Sequence, residues 1–523
     1  MPGVSAFREG VSKYGGILGY FKAIPFSGFW ADDFVYERGE VKTSCELYDE
    51  LNGINSVLDI PMVVACDLED GAGAAFKNLH HICTNMSVGA ADSPELTYKR
   101  AYYWAKELKS LGITWAFGPV FDMLNNFFDP MGPRCISDDW KIVARQAEAM
   151  VRGIQDAGVA ACPKHFPGSG NDYRDPHFCS ASIDFTKEEW DATYGKIWHS
   201  AKDAGAMSYM ISHMSFPAVD DSITPLGTPT PATASKKILN LLREEMNYDG
   251  IIVTDAVSMK GIASAFEHED VYIESFNAGN DIILFVHDDY IDVMERAVLN
   301  GSVSMERLDK SVQRILDFKE KLGLFDNSAE AFELSEEEKR DFERVNYEIT
   351  KKALTLIENA NGLIPINKEK IKSALIIAFS PYARFKEETE VIAARFAEKG
   401  IAADIITTVP NKTLLEEYSD KYDLIVYACY MAMDKPSGMS FFSQNMSTLF
   451  NSYSYGAEKS IAVSFGAPSI YYNYFETAPV FINAYSDDAE TMKAFVDGIL
   501  GEFEFEGKSP VAIKPSFARR VKL

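Results

Sequence analysis

Short apolar runs alternate with amphipathic stretches from the start of the chain to about residue 325. The runs are Gly16–Tyr20, Met62–Cys66, Thr114–Phe117, Val159–Cys162, Met207–Ile211, Ile251–Val253 and Ile282–Phe285. Between them, segments such as Glu95–Leu111, Trp140–Ala157, Lys187–Ala204, Ala234–Met246 and Met305–Leu322 carry apolar residues at helical spacing. Buried parallel strands read as continuous apolar runs and need helical crossovers, so the pattern predicts a βα series. Seven strands at intervals of roughly 30–50 residues favour a closed TIM-like barrel over an open sheet. The usual eighth strand is not visible. Either the barrel is reduced and lacks its first strand, or that strand belongs ahead of Met1.

A strongly charged stretch follows, with Ser335-Glu336-Glu337-Glu338-Lys339-Arg340 at its centre. It reads as a solvated helical linker over 327–350. Beyond it lie five further apolar runs, Ala374–Phe379, Ala403–Thr407, Leu424–Cys429, Ile461–Phe465 and Val480–Ala484. Their spacing predicts an open, doubly wound α/β sandwich domain. The expected division is therefore a barrel over 1–326, the linker, and the sandwich over 351–523. No Gly-x-Gly-x-x-Gly follows the first strand of the second series, so a dinucleotide site has no support there.

Charge narrows the range of partners. The 523 residues include 51 basic and 77 acidic side chains, a net charge of −26. Nucleic acid and anionic membrane surfaces both demand clustered Lys and Arg, so neither is expected as a partner. No stretch approaches the ~20 consecutive apolar residues of a membrane span. The opening residues lack a basic segment followed by an apolar one, so no signal peptide is expected. The 7 cysteines are scattered without a Cys-x-x-Cys pair, and several sit in apolar runs. That usage suits buried thiols in a cytoplasmic protein and supports neither a disulfide frame nor a zinc knuckle.

All 6 Trp fall within the first 200 residues and all 8 His before residue 288, which places the chemistry in the first domain. In a βα barrel, functional groups sit where the strands exit at their C-terminal ends. Met62–Cys66 leads into Asp67-Leu68-Glu69-Asp70-Gly71, and Thr114–Phe117 into Gly118-Pro119-Val120-Phe121-Asp122. Val159–Cys162 leads into Pro163-Lys164-His165-Phe166-Pro167-Gly168. Met207–Ile211 ends in Ser212-His213, and Ile251–Val253 in Thr254-Asp255. One such residue is readily a helix cap or half of a salt bridge; five strands delivering one each to the same rim predict a site. The loop from Gly168 to His177 carries two glycines and an Asp175-x-His177 spacing. That spacing lets a carboxylate reach an imidazole N–H, fix its tautomer and raise its basicity.

Leu241-Leu242-Arg243-Glu244-Glu245 followed by Gly250-Ile251-Ile252-Val253-Thr254-Asp255-Ala256-Val257-Ser258 closely resembles the active-site signature of family 3 glycoside hydrolases. Lys164-His165-Phe166-Pro167-Gly168, with Asp175-Pro176-His177, resembles the subgroup acting on β-N-acetylglucosaminides. Gly118–Asp122, Arg134 ahead of Ser137-Asp138-Asp139, and Lys321–Asp326 are weaker matches. The resemblance covers about Gly15 to Asp326 and extends loosely over the second domain, through Ser464–Pro468 and Gly507–Val511. It implies a retaining exo-β-N-acetylglucosaminidase that needs no cofactor and no metal. Asp255 would be the nucleophile, His177 the acid/base and Asp175 its orienting partner. Asp67, Asp122, Arg134, Lys164, His165 and His213 would bind the sugar or wall its site. The family's Lys-His and Phe-Pro peptide bonds are often cis.

Two features depart from the family. Many members carry arginines after the second strand, whereas Asp67-Leu68-Glu69-Asp70-Gly71-Ala72-Gly73-Ala74-Ala75 has none. The segment that usually precedes the Gly15-Gly16-Ile17 region is also missing. Within the resemblance, a β-N-acetylglucosaminide phosphorylase and a β-glucosidase stay open. A histidine acid/base does not repel an anionic acceptor such as phosphate. The residues alone also admit a barrel metallohydrolase built on His80, His81, Lys164, His165, His213 and Asp255, and a sugar-binding protein on an inactive barrel.

Overall fold

The computed structural model describes residues 28–30, 48–49, 53, 55, 58, 60–74, 79–126, 129–326, 331–380, 384–408, 410–431 and 456–512. The described chain divides into two compact units. Residues up to 80, 97–123 and 143–342 form the first; 81–96, 124–142 and the chain from 343 onward form the second.

The first unit contains seven strands among its described residues. They are β1 (Gly28–Trp30), β2 (Val63–Cys66), β3 (Trp115–Ala116), β4 (Ala160–Ala161), β5 (Ser208–Ile211), β6 (Ile251–Ala256) and β7 (Ile282–Leu284). All pair in parallel, β1 to β4 in order and β5 to β7 in order. Residues beyond β4 join the two sets. Lys164 bridges to Val120, the Phe166 N–H donates to Met210 O at 2.8 Å, and the Ser212 N–H donates to Phe166 O at 2.8 Å. Parallel pairing therefore runs from β1 to β7, the βα barrel class that the apolar runs predict.

Two details differ from the sequence reading. The run Gly16–Tyr20 lies outside the described residues, and the first described strand, β1, is a three-residue element too short for a search of apolar runs. Strand β6 also extends past the apolar Ile251–Val253 as far as Ala256, with its pairing to β7 interrupted between Val253 and Ala256. Asp255 thus sits in a bulged strand end rather than beyond it. Bulges re-aim side chains next to functional sites.

The core follows the period-two alternation of strands. Val63 and Ala65, Trp115 and Phe117, Ala160 and Cys162, and Ile251 and Val253 share one buried cluster with Met210 and Leu284. Ile315 and Phe318 join it from the helix Met305–Lys321, where the Phe318 ring meets that of Trp115 edge-on at 5.2 Å. Ser304 caps this helix by accepting from the Arg307 N–H, and Lys319 and Lys321 lie in its last turn. The helix Trp140–Asp156 buries Val143, Ala147, Met150, Val151 and Ile154, the one-sided spacing expected of a barrel crossover.

The strands described in the second unit are β8 (Thr355–Asn359), β9 (Ser373–Phe379), β10 (Ala402–Ile406), β11 (Leu424–Cys429), β12 (Ser460–Ser464) and β13 (Val480–Asn483). They form one six-stranded sheet in the order β10-β9-β11-β12-β13-β8. The five expected strands are parallel. β8 is an addition, antiparallel to β13 at the sheet edge, and its run of Leu356-Ile357 is too brief to signal a strand alone. The charged stretch opens the helix Glu336–Ala353. Ser335 and Glu338 cap it reciprocally, each side chain accepting the other's main-chain N–H, at 3.3 and 2.9 Å.

Candidate active site

At the end of β6, Asp255 Oδ1 accepts the neighbouring Ala256 N–H at 2.7 Å, and Oδ2 lies 4.0 Å from His165 Nε2. Burial by itself would push this carboxyl up. It is nevertheless held below its ordinary value, because His165, His213, the Ala256 N–H and Lys164 together outweigh desolvation. An ionised carboxylate with 22% of its side chain still open is the result.

The segment after β4 supplies two of those neighbours. The buried Lys164 ammonium is clamped between Asp67 Oδ1 and Glu69 Oε1, each at 2.6 Å. Glu69 was not among the expected site residues. The signal for it is the strand period: Asp67 and Glu69, two apart at the exit of β2, share a side, while Leu68 turns into the core. His165 is held by the fully buried Asp122, with Nδ1 2.6 Å from Oδ2. The other Asp122 oxygen accepts the Ser169 N–H at 2.7 Å and the His165 N–H at 3.4 Å. A carboxylate accepts at Nδ1, so Nε2 of His165 is the nitrogen turned toward Asp255. The Lys164–His165 and Phe166–Pro167 peptide bonds are both cis.

His213, past the end of β5, is fully used. Its Nε2 lies 2.9 Å from Ala256 O and its Nδ1 2.7 Å from Thr233 Oγ1. Burial lowers its pKa, reinforced by His177 and His165 and opposed by Asp255 and the Ala256 carbonyl. Its Nε2 faces the Ala256 carbonyl, which can only accept, while its Nδ1 faces the Thr233 hydroxyl, which itself donates to Ser212 O at 2.8 Å. Thr233 is a second residue the sequence did not single out.

The loop carrying Asp175 and His177 is braced from within and from without. Asp172 accepts the Arg174 side chain and the main-chain N–H groups of Arg174 and Ser182, each at 3.0 Å or less. Asp175 Oδ1 accepts both the His177 N–H, at 2.9 Å, and its ring Nδ1, at 2.6 Å. Outward, Pro176 O and His177 O accept the N–H groups of Gly261 and Lys260, at 2.8 and 3.2 Å. These two residues begin the helical turn Lys260–Ala263, just past Asp255. Asp175 is buried, whereas 39% of the His177 side chain is open.

Asp67, Asp122, Lys164, His165, Asp175, His177, His213 and Asp255 all belong to the first unit. Arg134 belongs to the second, in the short turn Gly132–Arg134, where its guanidinium lies 3.4 Å from Met131 Sδ. The histidines offered for a metal site diverge. His80 Nδ1 meets Glu107 at 2.7 Å in the first unit, while His81 Nε2 lies 3.8 Å from Asp487 in the second. Among the described residues no group of three or more His, Cys, Asp or Glu is arranged to hold a metal ion. No helix among them is long and apolar enough to cross a membrane.

An ionised aspartate, two Asp–His pairs and a carboxylate-clamped lysine thus lie at or beyond the ends of the barrel strands. The N-terminal domain of glycosyl hydrolase family 3 matches residues 39–318, and the chain is a member of that family. A Cellulomonas fimi protein named β-N-acetylglucosaminidase/β-glucosidase is 26% identical over 497 residues, covering 90% of this chain and 86% of that one. The solved family 3 β-N-acetylglucosaminidase from Paenibacillus sp. str. FPU-7 superposes with a TM-score of 0.81 at 24% identity, over 95% of both chains. A solved β-glucoside phosphorylase superposes with a TM-score of 0.79 at 23% identity, over 90% of this chain and 88% of that one.

Proposed function

We propose that the protein is a retaining exo-β-N-acetylglucosaminidase in which Asp255 is the nucleophile and His177, oriented by Asp175, is the acid/base. The observation that carries the reading is the pairing of Asp175 with the half-open His177 at 2.6 Å, on a loop bonded to the turn after Asp255. The Cellulomonas fimi relative's name includes this sugar, beside glucose.

In the first displacement Asp255 attacks the anomeric carbon as the bond to the leaving oxygen breaks. His177 Nε2–H gives its proton to that oxygen, leaving a glycosyl ester on Asp255 and a neutral ring. Water then enters and His177 Nε2 takes its proton. The ester bond to the anomeric carbon breaks, Asp255 is released, and the configuration is retained. Asp175 holds the proton on Nδ1 throughout, which is why Nε2 faces the substrate. Lys164 with Asp67 and Glu69, together with His165 and Asp122, would grip sugar hydroxyls, and His213 would wall the site. Arg134 stays in the proposal on the family resemblance alone. The setting would be cytoplasmic, in keeping with described cysteines that form no disulfide.

A panel of aryl β-glycosides, assayed with and without phosphate, tests the reading. Fastest release from the N-acetylglucosaminide and loss of turnover in a folded Asp255→Asn variant are expected. Preference for the glucoside would overturn the sugar, and retained activity in Asp255→Asn would overturn the nucleophile. One observation favours phosphorolysis as a second reading: the half-open acid/base is an imidazole, which presents no negative charge to an incoming phosphate. Sugar 1-phosphate among the products would establish it.

A further inference from the structure

Gly261 lies at the one place where the acid/base loop, the wall histidine and the segment after the nucleophile meet. A Cβ built there would stand 2.8 Å from His213 Cβ, 3.2 Å from Pro176 O and 3.3 Å from Pro176 Cβ. None of these is the far end of a flexible side chain. His213 is held at both ring nitrogens, and the Pro176 carbonyl is itself bonded to the Gly261 N–H at 2.8 Å. The neighbouring Lys260 N–H donates to His177 O at 3.2 Å. The first N–H groups of a helical turn have no partner within it. Here the loop's own carbonyls take that place, on the two residues on either side of the Pro176–His177 peptide bond.

We propose that Gly261 is a positioning residue for the acid/base: its bare Cα is the seat on which the loop docks, and the paired N–H groups of Lys260 and Gly261 register His177 against Asp255. The proposal rests on the reading of His177 as proton donor, and deepens it. Asp255 and the seat lie six residues apart on one short, ordered segment, with the Met259 N–H donating to Ala256 O at 3.0 Å between them. A shift of the seat therefore moves the proton donor relative to the nucleophile while leaving the nucleophile in its bulge.

Two variants separate crowding from loss of a hydrogen bond. Gly261→Ala places a methyl where no room exists. Lys260→Pro, read against Lys260→Ala as the control for the lost side chain, removes the N–H that holds His177 O; proline is tolerated at a first helical position. Met259, at φ −66° and ψ 143°, already has the extended conformation that a following proline requires. Each would be assayed on aryl β-N-acetylglucosaminides with good and poor leaving groups, beside His177→Ala, after thermal melts confirm folding. Displacing a proton donor by about 1 Å costs on the order of 100-fold. That loss is expected in kcat/KM for poor leaving groups in Gly261→Ala, and a smaller one in Lys260→Pro, with activated substrates within about threefold of the parent.

Loop seating is read independently by chymotrypsin, since Tyr173 and Phe178 expose 63% and 54% of their surface. Cleavage there should rise roughly tenfold when the loop leaves its seat. Unchanged cleavage with unchanged leaving-group dependence in a folded variant would overturn the proposal, as would equal loss on both substrate classes. If His177→Ala shows no leaving-group dependence, the acid/base reading fails, and with it the registry claim, even where proteolysis shows the loop unseated.

Discussion

Asp175 Oδ1 accepts two hydrogen bonds from a single residue, the His177 main-chain N–H at 2.9 Å and the ring Nδ1 at 2.6 Å. The carboxylate thus fixes the backbone at 177 and the ring tautomer together. Asp175→Ala should lower kcat for poor leaving groups about 100-fold and activated substrates far less. Asp175→Asn keeps an accepting oxygen without the charge and should fall between the two. Steady-state kinetics across a leaving-group series checks this, and an equal loss for every substrate would contradict it.

Asp255 supplies a stability test with a definite sign. Its folded-state pKa lies below the ordinary value of 3.8, so its ionised form stabilises the fold above that value. The contribution is lost as pH falls through the lower, folded-state pKa. Relative to Asp255→Asn, the parent should therefore lose stability as pH drops below about 4. Melting temperatures of both proteins from pH 3 to 7 measure it, and a constant difference would contradict it.

Asp122 is fully buried and accepts from Ser169, from the His165 main chain and from the His165 ring. Asp122→Ala strands those donors and should cost about 3 kcal/mol, because one half of a buried pair is removed. Urea unfolding reads the stability loss, and activity should fall with it as His165 loses its orientation.

Lys319 is 1% exposed, and burial lowers its ammonium to about 8. In the folded protein it resists protonation between pH 8 and its ordinary 10.5, while the unfolded chain does not. Its contribution to stability therefore improves as pH rises through that window, and its cost is greatest below pH 8. The stability difference between Lys319→Met and the parent should therefore shift in the parent's favour by about 2 kcal/mol between pH 7 and pH 10. Denaturant unfolding at pH 7 and pH 10 checks the sign.

Much of the barrel was readable because a buried parallel strand has to be apolar throughout. Val63–Cys66, Ser208–Ile211 and Ile282–Leu284 fall within their predicted runs for that reason. The same logic missed β1, which is only three residues long, and β8, whose antiparallel edge position asks for little apolar sequence. It also ended β6 too early, since a bulge carrying Thr254 and Asp255 is polar where a regular strand is not. At the site, the rim residues were legible as the first polar groups after each run. Glu69 carries the same signal two positions beyond Asp67, but Thr233 was not legible, because what matters for it is its contact with His213.

Residue order alone determined that this chain builds parallel βα units, that polar groups follow the ends of their strands, and that it carries both an Asp-x-His pair and an aspartate in a signature resembling that of family 3. The resemblance already set His177, as acid/base, apart from His165, as a residue of the sugar site. What the sequence did not contain is the surroundings of each ring. The Asp122–His165 pair is buried 4.0 Å from Asp255, while the His177 ring stays 39% open on a loop seated against Gly261. The reason is physical: spacing sets which groups can pair, but desolvation, approach and the direction a ring faces arise only once distant segments pack together.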